Sequence, residues 1–125
     1  MHENRISSEV VDAAIEVHRH LGPGLLEKIY QQALAHELVL RGLSVEREVT
    51  LHAGYKGLEF DSAYKLDLLV QNKVILELKV VEQILPVHEA QLLSYLRLTR
   101  KRLGLLVNFH VPLLKQGVRR VANNL

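Results

Sequence analysis

Lys65-Leu66-Asp67-Leu68-Leu69-Val70-Gln71-Asn72-Lys73-Val74-Ile75-Leu76-Glu77-Leu78-Lys79-Val80-Val81 holds two apolar runs around a short polar break. Side chains of a strand alternate between faces, and residues opposite each other in a hairpin share a face. A two-residue turn at Gln71-Asn72 would set Asp67 against Leu76 and Leu66 against Glu77, placing a carboxylate on each strand's apolar side. Burying unpaired carboxylates is costly, so this register is disfavoured. A three-residue connection, Gln71-Asn72-Lys73, pairs Asp67 with Glu77 instead. Leu66, Leu68, Val70, Val74, Leu76, Leu78 and Val80 then make one unbroken apolar face, and Lys65, Asp67, Glu77 and Lys79 occupy the other. Asn72 tolerates the left-handed conformation that such loops need.

Facing carboxylates in this register have Cβ atoms roughly 5 Å apart and repel at neutral pH unless a cation or a proton lies between them. Mg²⁺ takes oxygen ligands at about 2.1 Å and keeps several waters, which suits two converging acids with open coordination positions. Lys79 follows Glu77 by two residues on the same face, where its ammonium can reach a phosphate oxygen or a water. The competing reading is a solvated salt-bridge network of Asp67 with Lys65 and Glu77 with Lys79, and spacing alone favours it. Leu69 and Ile75 on the charged face argue that this face is partly covered.

Outward from the hairpin, Ser7-Ser8-Glu9 predicts a helix start, and Val10, Val11, Ala14, Ile15 and Val17 continue it to Gly22-Pro23-Gly24. A second helix is expected over about Leu25 to Arg41, with Leu26, Ile29, Ala33, Leu34 and Leu38 inward and Gly42 as its left-handed stop. Val45 to Leu51 and Leu58 to Val70 read as strands separated by a turn at Gly54 to Gly57, and Val74 to Val81 as the third strand. Val87 to about Arg102 forms a third helix on Leu92, Leu93 and Leu96. Gly104 to Phe109 is a buried strand, and Val118 to Val121 an edge strand. The order ααβββαβ(β) makes an α/β protein, a sheet with helices packed on it.

The 125 residues predict one domain with a real core. Hydrophobic residues make up 48% and charged residues 24%, which argues against disorder. A formal charge of +2 excludes binding driven by bulk positive charge. The absence of cysteine excludes disulfides, thiolate metal sites and thiol nucleophiles, and fits a reducing cytoplasm. No stretch approaches the ~20 apolar residues of a membrane span, and the polar start leads into no signal core.

The helices add candidates. His88, Gln91 and Tyr95 share one stripe of the third helix, apart from Leu92 and Leu96; the plain alternative is a polar rim. Glu27 and Tyr30 share a face of the second helix, where Glu27 is either a third carboxylate at the ion or a first-turn acid favoured by the helix dipole. Glu82 is an outer ligand or, more simply, a loop charge. His18 and His20 suit a helix C-terminus, and no HxxxH or HExxH spacing supports a histidine-built zinc site.

Gly24-Leu25-Leu26-Glu27-Lys28-Ile29-Tyr30, the preceding Glu16 to Gly24, Asp67-Leu68-Leu69-Val70, Glu77-Leu78-Lys79, His88 to Leu96 and Leu105-Leu106-Val107-Asn108-Phe109 together resemble the small bacterial and archaeal GxxExxY proteins. The resemblance covers about Val10 to Val121. That family is placed in the PD-(D/E)XK nuclease superfamily, so the resemblance implies a restriction-endonuclease-like core, a mixed β-sheet flanked by helices, with a divalent-metal phosphodiesterase site. Carried over by position, it implies Asp67 and Glu77 as metal ligands, Lys79 as the catalytic lysine, Glu27 as the helix acid, and Gln91 with Tyr95 as an accessory pair. Leu66 stands where the superfamily has proline. The expected function is an Mg²⁺-dependent nuclease, with Mn²⁺ as substitute, acting on DNA rather than RNA, with homodimerisation as a way to enlarge its footprint. The alternatives are a catalytically silent binding or assembly module and a small-molecule phosphatase.

Overall fold

The computed structural model describes residues 1–125, the side chains of residues 61–63 excepted. The elements are α1 (Glu3–Leu21), α2 (Glu27–Leu40), β1 (Val45–Tyr55), β2 (Leu58–Val70), β3 (Val74–Lys79), α3 (Pro86–Thr99), β4 (Leu103–Asn108), a 3₁₀ turn (Leu114–Gly117) and β5 (Val118–Ala122). The strands form one five-stranded sheet in the order β1-β2-β3-β4-β5. Only the β3–β4 pair is parallel. It is also the pair joined through a helix, as a parallel connection requires.

Valine and leucine dominate β3 and β4, and Ile75 to Leu78 and all of β4 are buried, as expected for strands covered on both faces. On one face, α1 and α2 bury Ile6, Val10, Ala14, Tyr30, Leu34 and Leu38 against Leu68, Val70, Leu76, Leu78, Leu105 and Val107. On the other, Leu92 and Leu96 of α3 cover Leu66, Leu69, Ile75 and Leu106. Gly104 makes this close packing feasible, since a Cβ there would lie 2.8 Å from Leu92 Cδ1.

The hairpin takes the three-residue register, with Val70 opposite Val74, Leu69 opposite Ile75 and Leu68 opposite Leu76. Gln71 and Asn72 both adopt left-handed φ, at 55°. The expected unbroken apolar face fails at one residue. Leu68 and Val70 pack on the α1/α2 side, but Leu66 joins Leu69 on the α3 side. Alternation therefore breaks at Asp67. In β1, Arg47 pairs with Leu68 and Val49 with Leu66, leaving left-handed Glu48 (φ 53°) facing Asp67. The register continues through this point without a shift, so the kink is local to Glu48 and Asp67; the bulge between β1 and β2 lies further on, between Leu51 and Ala53.

Several boundaries differ from expectation. α1 starts four residues before Ser7, at Glu3, because His2 Nδ1 caps it by accepting from the Asn4 N–H at 3.0 Å and Ile6 extends the buried stripe. α2 starts at Glu27. Leu26 and Ile29, expected inward, are exposed because Tyr30 takes the core position one turn before Leu34. α3 ends at Thr99, and its C-cap, Arg100, is left-handed (φ 58°). β1 and β2 meet at a tight turn of Lys56 and Gly57. Gly42 stops α2 at φ 84°, and Val118–Ala122 is the edge strand anticipated. Among the described residues, no helix is long and apolar enough to cross a membrane.

Candidate active site

The hairpin ladder ends at Leu68 and Leu76, one residue short of Asp67 and Glu77. At that point the Leu78 N–H donates to Asp67 Oδ2 at 2.8 Å rather than to a β2 carbonyl. The Asp67 carboxylate is thus fastened to β3 beside Glu77. Glu77 is only 2% exposed, and among the described residues neither of its carboxylate oxygens has a hydrogen-bond partner. Burial, and then the adjacent Asp67 charge, push its carboxyl up to about 9. Two unsatisfied oxygens in a protein interior are unusual enough to ask what they are for.

Lys79, half-buried, is two residues further along β3, and its carbonyl accepts from the Phe109 N–H at 3.0 Å. Neither ion pair of the salt-bridge alternative, Asp67 with Lys65 or Glu77 with Lys79, forms among the described residues. Glu27 opens α2 at the rim of the same cluster. Its carboxyl is raised by partial burial and by the Asp67 charge, with Lys79 opposing. Asp67 and Glu77 thus sit side by side with Lys79 next along β3, while Glu27, exposed at the start of α2, is near enough to feel the charges of Asp67 and Lys79 but does not join the two acids as a third close ligand.

Tyr30 stands apart from this cluster. Fully buried, it stacks on Phe109 with ring centroids 4.4 Å apart, donates its hydroxyl to the Gly22 carbonyl, and accepts from the Leu25 N–H at 3.2 Å. It fastens the Gly22-Pro23-Gly24 bend that feeds into Glu27. From α3, Tyr95 faces the carboxylates: burial and then Glu77 raise its phenol. Gln91, one turn earlier on that stripe, is exposed. His88 is turned to another task, its Nδ1 accepting from the Leu85 N–H at 3.0 Å and capping α3. Glu82 is solvent-exposed and pairs with His110 Nε2 at 3.2 Å. His18 Nε2 meets the Val111 carbonyl at 2.9 Å, and His20 pairs with Glu16.

Two neighbours escaped the sequence reading. Tyr64 stacks on Tyr95 with centroids 4.6 Å apart, and burial followed by the Glu77 charge raises its phenol. Strict alternation assigns Tyr64 to the opposite face; the kink at Asp67 brings it here. Asn108 Oδ1 accepts from the Val81 and His110 N–H groups at 3.1 Å, and its Nδ2 donates to the Val81 carbonyl at 2.8 Å. It clamps the chain just beyond Lys79. A lone amide in the apolar run Gly104 to Phe109 was a usable signal, since a buried amide needs partners.

Among the described residues, no group of three or more histidines, aspartates or glutamates lies close enough to hold a metal ion. The donor set nevertheless fits a hard cation. Asp67 and Glu77 offer oxygens only, those of Glu77 have no partner among the described residues, and a cation between the two would offset the burial and repulsion that keep Glu77 protonated.

A five-stranded mixed sheet thus lies between helices, with an aspartate and a Glu-x-Lys where its central hairpin opens. A family model described as the PD-(D/E)XK nuclease superfamily matches residues 4–121, and the chain belongs to that superfamily. No curated protein and no solved structure matches the chain.

Proposed function

We propose that this chain is a divalent-cation-dependent nuclease of the GxxExxY group that hydrolyses DNA in preference to RNA. The observation that carries this reading is the buried Glu77 carboxylate, with both oxygens unpartnered beside Asp67. Asp67 and Glu77 would hold the ion, and the Glu27 carboxylate would add negative charge near it. A bound Mg²⁺, or Mn²⁺ in its place, offsets the charge that develops on the phosphate and makes water a stronger nucleophile. Lys79 donates hydrogen bonds to the phosphate or the attacking water and stabilises negative charge there. Gln91 contacts the substrate backbone from α3. Tyr95, with Tyr64, excludes water from one side of the acids. The lack of cysteine fits a cytoplasmic setting.

Asp67→Asn, Glu77→Gln and Lys79→Ala should each abolish cleavage of supercoiled plasmid in Mg²⁺ while far-UV circular dichroism stays unchanged. Plasmid, single-stranded DNA and RNA offered in parallel should rank in that order. Cleavage that persists in EDTA, or in folded Asp67→Asn, refutes the proposal.

A further inference from the structure

Glu48 has a backbone conformation that a strand does not ask for. Its φ of 53° lies in the left-handed region, which non-glycine residues enter at a cost and which recurs near functional sites. It occupies the place in β1 that faces Asp67, between the pairs Arg47–Leu68 and Val49–Leu66. Its carboxylate forms an ion pair with Lys28, the residue after Glu27. One side chain thus links the kink beneath Asp67 to the helix start that presents Glu27. The pair is well exposed, and such a pair adds little to stability. A strained, exposed residue at this junction is better explained by what it aligns.

We infer that Glu48 is a positioning residue: through Lys28 it fixes the first turn of α2, and so Glu27, against the kinked segment of β2 that carries Asp67. This rests on the reading of Asp67, Glu77 and Glu27 as a cation site. If Lys28 and Glu48 act only through their charges, Lys28→Gln removes a nearby positive charge and tightens cation binding, whereas Glu48→Gln weakens it. If they align Glu27, both substitutions weaken binding.

The test is Mn²⁺ affinity, measured by calorimetry on the whole chain without nucleic acid. Glu48→Gln and Lys28→Gln should each bind Mn²⁺ about tenfold more weakly, in the range for groups that orient metal ligands. Neither should weaken it further in a Glu27→Gln background. Glu48→Gly, free of the left-handed penalty, should melt no lower than the unaltered chain yet lose the same affinity. Tighter binding by Lys28→Gln overturns the inference, as does a Glu48→Gln loss that persists undiminished without Glu27. If the unaltered chain binds Mn²⁺, Asp67→Asn abolishes that binding and Glu48→Gln leaves it intact, this inference falls and the cation site stands. If the unaltered chain binds no Mn²⁺, both fall.

Discussion

Glu77 gives the clearest expectation for a single side chain. In the folded chain its carboxyl is raised to about 9 by burial and by Asp67, against an ordinary value of 4.5 when unfolded. The folded state therefore holds a proton that the unfolded state gives up. The associated stability is complete below about pH 4.5 and is lost as pH rises toward 9, at up to about 1.4 kcal/mol per pH unit. In EDTA, melting temperature should fall across that window for the unaltered chain and should be much flatter for Glu77→Gln. Glu77→Gln should then melt higher than the unaltered chain at pH 8.5, as followed by thermal denaturation. Mn²⁺ should reverse the order, because only the ionised carboxylate gains from the ion. Equal pH slopes for the two proteins would show that the carboxyl is ionised and solvated in the fold.

The elements were legible where composition and period agree. The strands from Leu58 to Val70 and Val118 to Val121, the three-residue hairpin connection and the helix beneath Leu92 and Leu96 all follow from alternation, turn residues and helical spacing. Asp67 and Glu77 also end side by side, but through the Leu78 N–H bond to Asp67 beyond the end of the ladder rather than as the directly paired residues that the register predicts. The kink was not legible: Glu48 carries no glycine or proline signal, and the change of face for Leu66 and Tyr64 depends on pairing across β1. The second helix was misphased because its apolar residues nearly encircle it, so Leu26 and Ile29 competed with Tyr30 for the inward stripe. At the α3–β4 contact, Gly104→Ala pushes a methyl to within 2.8 Å of Leu92, and overpacking of this kind costs about 1–3 kcal/mol. Leu92→Ala opens a cavity at about 2–5 kcal/mol. Because the two changes fill and empty the same space, the double variant should be clearly more stable than the sum of the singles predicts, as urea denaturation would measure.

At the scale of the whole molecule, both cores share one sheet. The α1/α2 layer rests on Leu68, Val70, Leu76 and Leu78, and the α3 layer on Leu66, Leu69 and Ile75 of the same two strands. Neither layer can lose its support without the other, so urea should unfold the chain in one step. Far-UV ellipticity and near-UV tyrosine ellipticity should give coincident transitions with a slope of about 1–3 kcal/mol per molar urea. Separate midpoints would mean that α3 peels away from an intact remainder.

The stacked rings of Tyr64 and Tyr95 have a practical consequence. The chain contains no tryptophan and only four tyrosines, so ultraviolet emission comes from the phenols alone. Half of these emitters press against one another beside the acid pair. Events at the acids should therefore alter the protein's intrinsic glow, and a fluorimeter could follow them on unlabelled material.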